Sequence, residues 1–155
     1  MRNPVTRRPF AVSALIFLQV FLGLNGLVGG IAFVLAPDGH LLQMPFSHLK
    51  NTPFPDFFIP GLLLFLFLGA YPIAVAYSLW AQPAWRWPDA LNPFKQSHWS
   101  WAGSLAAGVI AIVWIIMQVQ WIPLGFLHIF IFGWGILILV VTGLPSVREY
   151  FRRKA

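Results

Sequence analysis

Residues 99–147, WSWAGSLAAGVIAIVWIIMQVQWIPLGFLHIFIFGWGILILVVTGLPSV, contain no Asp, Glu, Lys or Arg. A helix crossing ~30 Å of hydrocarbon needs about 20 apolar residues at ~1.5 Å each. The run is too long to cross once and long enough to cross twice, so it must turn near its middle. QVQWIPLG, residues 118–125, holds the turn chemistry: Pro123 removes a backbone N–H and Gly125 loosens the chain. Two spans follow, 99–121 and 124–144. The period-two alternation of a barrel strand is missing. Segments apolar on every side are those of helices buried in lipid.

Residues 10–36 and 57–85 are equally free of charge. The chain therefore reads as an all-α membrane protein with four transmembrane helices in an antiparallel bundle. The expected spans are 10–36, 57–80, 99–121 and 124–144, in a single domain 1–155, with an extracytoplasmic loop 37–56 and a cytoplasmic loop 81–98. Composition agrees: 59% of residues are hydrophobic and 9% charged, against ~25% charged in soluble domains. So little polar surface cannot cover a water-soluble globule, and the bilayer is the expected partner.

The basic residues set the direction. Arg2, Arg7 and Arg8, then Arg86 and Lys95, then Arg148, Arg152, Arg153 and Lys154 fall on one side of this threading; Lys50 alone falls on the other. The positive-inside rule then puts both termini in the cytoplasm. The same placement makes the net charge of +6 topogenic, so no nucleic-acid partner is expected. TRRPF, residues 6–10, is similar to a twin-arginine export signature, but the apolar run behind it exceeds the ~7–15 residues of a signal-peptide core. An uncleaved first helix is expected. With no cysteine, disulfides, thiolate metal sites and Cys nucleophiles are excluded.

Several side chains stand out. Gly23, Gly26 and Gly30 form a small-residue stripe for close helix contact. Asn25 beside it is an intramembrane polar residue, expected to hydrogen-bond across helices with Gln19 or Gln118 as partner. Trp114 and Gln118, four apart, share a helix face that could line a pocket. Trp134, between Gly133 and Gly135, is expected to fill space between helices. Trp80, Trp85, Trp87, Trp99 and Trp101 surround Arg86 and Lys95 as an interfacial anchor, and Asp89 is a candidate cap for a short surface helix. The loop PDGHLLQMPFSHLKNTPFPDF is dense in chemistry. Asp38, His40, His48 and Asp56, joined by His128 from the fourth span, make a candidate outer-face site. Imidazole and carboxylate suit zinc, iron or copper, and imidazole alone can hold haem. Asp56 also reads as the N-cap of the second helix, accepting from Phe58 or Ile59.

In order along the chain, GLVGG (26–30), APDGHLLQMPFSHL (36–49), TPFPDFFIPG (52–61), LNPFKQSHWSW (91–101) and LPSVREY (144–150) resemble a group of small four-helix bacterial membrane proteins with no assigned activity. The resemblance implies a bacterial inner-membrane protein with four spans. It carries over no catalytic residue and no cofactor.

Three functions are consistent with these residues. The leading one is a non-catalytic accessory subunit or helical oligomer, since no catalytic motif appears and no ionisable residue lies at mid-bilayer. The second is a binding protein or enzyme with a metal or haem site at the outer mouth. The third is a quinone- or lipid-binding module using Trp114, Gln118 and Asn25. No cofactor is demanded by the sequence, the metal is unknown, and a homo-oligomer or membrane-protein partner is possible.

Overall fold

A computed structural model describes residues 7–153. Arg2 and Lys154, counted in the charge bias, lie outside the described residues. Among those residues the chain is helical, with one isolated β-bridge, Ser97 to Arg152. Four helices are long and apolar enough to cross a membrane: α1 (Phe10–Leu35), α2 (Phe58–Ala81), α4 (Trp99–Gln118) and α5 (Phe126–Gly143). Two short helices, α3 (Arg86–Ala90) and α6 (Pro145–Phe151), lie between and after them. The shortest span, α5, has 18 residues and so reaches about 27 Å, close to the hydrocarbon thickness.

The long apolar run turns where expected, over a wider stretch. Helix α4 stops at Gln118 and α5 starts at Phe126. Pro123 disfavours helical backbone at Ile122 and cannot donate itself. Gly125 is extended and serves as the cap of α5.

Close contact of α1 with α2 is built on glycine. A methyl group at Gly26 would overlap the Leu68 carbonyl and sit 2.5 Å from Gly69 N; at Gly30 it would sit 2.6 Å from Phe65 Cβ. At Gly23 it would meet Ile73 Cγ1 at 2.6 Å, and at Gly61, on α2, it would meet Phe33 Cβ at 2.5 Å. Opposite this stripe α2 is not a regular α-helix, because Phe65–Ala70 forms a π-helical segment. Pro72 follows at once and withdraws a donor from the ladder, and a π turn is a common way for a helix to absorb such a gap. Gly108 and Gly135 make the matching close approach of α4 to α5.

A buried polar chain ties α1, α4 and α5 together. Gln19 Nε2 donates to Ser104 Oγ (2.9 Å), Ser104 Oγ lies 2.9 Å from Thr142 Oγ1, and Thr142 Oγ1 donates to Ile138 O (2.6 Å). Thr142 has one proton, committed to the Ile138 carbonyl, so Ser104 must donate to Thr142 and accept from Gln19. That direction fixes the amide of Gln19 and leaves its Oε1 buried without a donor among the described residues. Trp101 Nε1 donates to Thr142 O (2.9 Å), Trp134 Nε1 to Leu18 O (3.0 Å) and Tyr71 OH to Gly103 O (3.0 Å). Leu15, Leu22, Leu79, Ile138, Val147 and Phe151 fill the core around this chain.

Three sequence expectations change. Asn25 is exposed, and its Nδ2 donates to Phe21 O of its own helix (2.7 Å), so the interhelical bond is made by Gln19 instead. Asn25 sits one residue, ~100° of rotation, away from Gly26 and falls outside the α1–α2 contact. Asp89 does not cap α3, which begins at Arg86; Pro88 fits in that first turn, where no N–H is needed, and Asp89 pairs with Arg153. Trp99 and Trp101 are buried, with Trp99 Nε1 donating to Pro83 O (3.0 Å). Trp80, Trp85 and Trp87 remain exposed.

Candidate functional site

Asp38, His40, His48, Asp56 and His128 take up separate local duties. His40 Nδ1 lies 2.6 Å from Asp38 Oδ1, which also accepts from His40 N–H, and this holds the Asp38 carboxyl below its usual range. His48 Nδ1 lies 3.1 Å from Met44 Sδ. His128 Nδ1 accepts from Gly125 N–H (3.1 Å) and closes the first turn of α5, so that nitrogen carries no proton. Asp56 is not the N-cap of α2, a place held by Phe57; it stands one residue earlier, and its Oδ1 still accepts from the N–H of Phe58 (2.9 Å), the first residue of the helix. Among the described residues no three His, Asp or Glu side chains gather into a metal-sized group. Asp38 and His40 are brought together; His48, Asp56 and His128 do not join them in such a group.

What the segment 36–57 does build is a roof. Gly39 adopts φ +81°, a left-handed conformation that costs glycine little, and a side chain there would strike Met44 O and the Phe57 ring. Phe57 N–H donates to Pro37 O (2.8 Å), and its buried ring stacks on Phe33 with centroids 4.9 Å apart. Thr52 Oγ1 donates to Leu49 O (3.0 Å). The loop is thereby folded with Met44, Leu49, Phe54 and Phe57 on its inner side, while Asp38 and His40 stay in solvent.

Beneath that roof lies a cavity of about 460 Å³, walled by α2 through Pro60, Leu63, Leu64 and Phe67, and by α4 through Val109 to Gln118. Trp121 and Ile122 of the α4–α5 turn complete it. Phe67, Val109, Val113 and Met117 line it while about half exposed, and they border its open side. Among the described residues, no Asp, Glu, Lys, Arg or His lines it. Its surface is almost wholly apolar; Thr52, Trp114, Gln118 and Trp121 are the lining residues whose side chains carry a polar group. Trp114 and Gln118 thus share a cavity wall, whereas Asn25 lies elsewhere.

No protein-family model, curated protein or solved structure matches this chain. The functional reading rests on the chemistry of the cavity. The i,i+4 spacing of Trp114 and Gln118 pointed to one wall. The other residues come from four distant segments, and nothing in their local spacing marks them as neighbours.

Proposed function

We propose that this multi-pass protein is a non-catalytic component of the bacterial inner membrane that holds the hydrocarbon chain of an uncharged membrane amphiphile in the cavity under its outer loop. One observation carries the reading: an uncharged, almost wholly apolar cavity of about 460 Å³ opening beside two spans, within the ~300–1,000 Å³ of small-molecule sites. In a bilayer such a space fills with an apolar chain, since water there would lack the polar partners it needs. An accessory subunit that carries or is tuned by a lipid needs this device and no catalytic group.

The threading belongs to the same proposal: an antiparallel bundle, both termini cytoplasmic, the roofed end outward. Its support is the basic-residue bias and the order of the α1–α2 contacts, in which Gly23, Gly26, Gly30 and Phe33 meet Ile73, Gly69, Phe65 and Gly61. Single cysteines at Gln43 or Asn51 react with an impermeant reagent from outside and one at Gln96 does not; outside labelling at Gln96 would overturn the threading.

The ligand reading is tested by purifying the protein from its membrane, washing out loose lipid and analysing the organic extract by mass spectrometry. Wild type yields a stoichiometric apolar compound. Val113→Trp, which enlarges a half-exposed lining residue, yields much less at equal folded protein. Equal recovery from both, or none from wild type, refutes the proposal.

A further inference from the structure

We propose that this chain pairs with a second copy of itself through the outward side of α1, with the Asn25 amides of the two copies bonded to each other across the seam. The pairing does not depend on what fills the cavity. Among the described residues, Phe33 is the one α1 side chain that lines the cavity, so the seam leaves the open side of the cavity free.

Asn25 is a polar side chain where nothing hydrates it. The next residue, Gly26, packs against Leu68 and Gly69, at the middle of the 24-residue α2. Asn25 is therefore close to mid-bilayer, and it is exposed on the outside of the bundle. Gln19, Ser78, Ser104 and Thr142, by contrast, turn inward and are buried. An Asn amide has two N–H donors and two acceptor lone pairs. One N–H of Asn25 is used by Phe21 O of its own helix, and among the described residues its Oδ1 accepts from no donor. In hydrocarbon no water takes up the remainder, and a polar group left unpaired there is costly. A partner helix that brings hydrogen-bonding groups to this depth removes the cost.

The surface around the amide suits a helix. Phe17, Phe21, Asn25, Val28 and Ala32 follow one another by three or four residues, so at ~100° per residue they share one sector of α1 roughly 80° wide. None of the five is buried. The sector lies roughly opposite Gly23, Gly26 and Gly30, which face α2, and so remains open to a neighbour.

The partner that fits is a second copy. Donor and acceptor on one side chain make Asn25 self-complementary: Oδ1 of each copy accepts from the free N–H of the other. A two-fold axis along the membrane normal sets both amides at the same depth, a match that an unlike chain has no reason to supply. A single Asn bonded across paired helices also fixes their register.

The test uses the full-length protein carrying a donor or acceptor dye at Gln96→Cys, reconstituted in liposomes and diluted with lipid. Energy transfer falls along a monomer–dimer isotherm. Asn25→Leu weakens the dimer about three- to thirtyfold, the range of an interhelical hydrogen bond in lipid, and Asn25→Gln, which keeps an amide, recovers most of the loss. Folding of the single chain, read at one chain per mixed micelle, is the same for Asn25→Leu and wild type, because the bond within the chain is local. The absence of native cysteine allows a second reading: oxidation cross-links Val28→Cys to its copy, and does not cross-link Val109→Cys, also exposed, on α4. A wild type that stays monomeric at high density refutes the second copy and leaves this face to lipid or an unlike chain. If Asn25→Leu dimerises as tightly as wild type, or Val109→Cys cross-links and Val28→Cys does not, the seam is not on this side of α1 and the proposal is wrong.

Discussion

Replacing Gly26 by alanine adds one methyl group, and the structure says how much that methyl disturbs. It would overlap the Leu68 carbonyl and lie 2.5 Å from Gly69 N. Both obstacles are backbone, so no rotamer change relieves them. Restoring an ordinary ~3.5 Å contact requires α1 and α2 to part by roughly 1 Å, a gap that forfeits about a quarter to a half of each atom pair's attraction along the seam. Overpacking of this type costs about 1–3 kcal/mol, while alanine's better helix propensity returns at most ~1 kcal/mol. A net loss of about 1–2 kcal/mol is expected. Gly133→Ala is the control, because that position has no neighbour within 4 Å of an added methyl; it changes stability by between zero and a ~1 kcal/mol gain. Reversible unfolding in mixed micelles reads the difference, up to roughly a hundredfold in the folding equilibrium. If Gly26→Ala is as stable as Gly133→Ala, α1 and α2 do not meet along this stripe.

Asp56→Asn keeps the bond to Phe58 N–H and folds like wild type, whereas Asp56→Ala loses about 0.5–2 kcal/mol in the same assay. Asn25→Leu stays within about 0.5 kcal/mol of wild type, since its bond is to its own helix; a large loss would mean that Asn25 faces another helix. His98 gives a pH dependence. Its Nδ1 accepts from Ser100 N–H (3.2 Å) and lies 2.8 Å from Ser100 Oγ, and its Nε2 lies 3.2 Å from Pro83 O. Burial lowers its pKa below the usual 6.5; Arg153 lowers it further, while the Pro83 carbonyl and Asp89 oppose the shift. The unfolded chain takes the proton first as pH falls, so stability present above about 6.5 drains away below it until the folded imidazole also titrates. His98→Asn, which can still cap α4, shows a shallower loss between pH 7 and 5; an unchanged slope would exclude His98 as the source.

The spans were readable because lipid leaves no choice: a charge-free run must be helical and of fixed length, and Pro123 leaves one place to turn. The glycine stripe was readable from spacing alone. Its partner was not, because the register of Gly26 against Leu68 and Gly69 depends on the π-helical segment of α2. The interhelical polar contact within the bundle belongs to Gln19 and not to Asn25, and the sequence carries a signal for it: Gln19, Gly23, Gly26 and Gly30 recur at helical spacing on one face, and Asn25 falls off it. The loop 36–57 is dense in histidines and carboxylates, yet its apolar residues are what reach the cavity. The loop is built of two short 3₁₀ turns, His40–Leu42 and Phe46–Leu49, too short for residue spacing to tell which side chains turn inward.

The occupancy of the cavity is tested most directly by photolabelling. A long-chain alkyl diazirine is added at increasing concentration to the protein in nanodiscs, and the labelled peptides are mapped. The account predicts saturable labelling, complete at low probe concentration, on the segments 60–67 and 109–117, and only weak, non-saturable labelling on the lipid-facing residues of α5. Labelling that rises without saturation and equally on all four spans would contradict it.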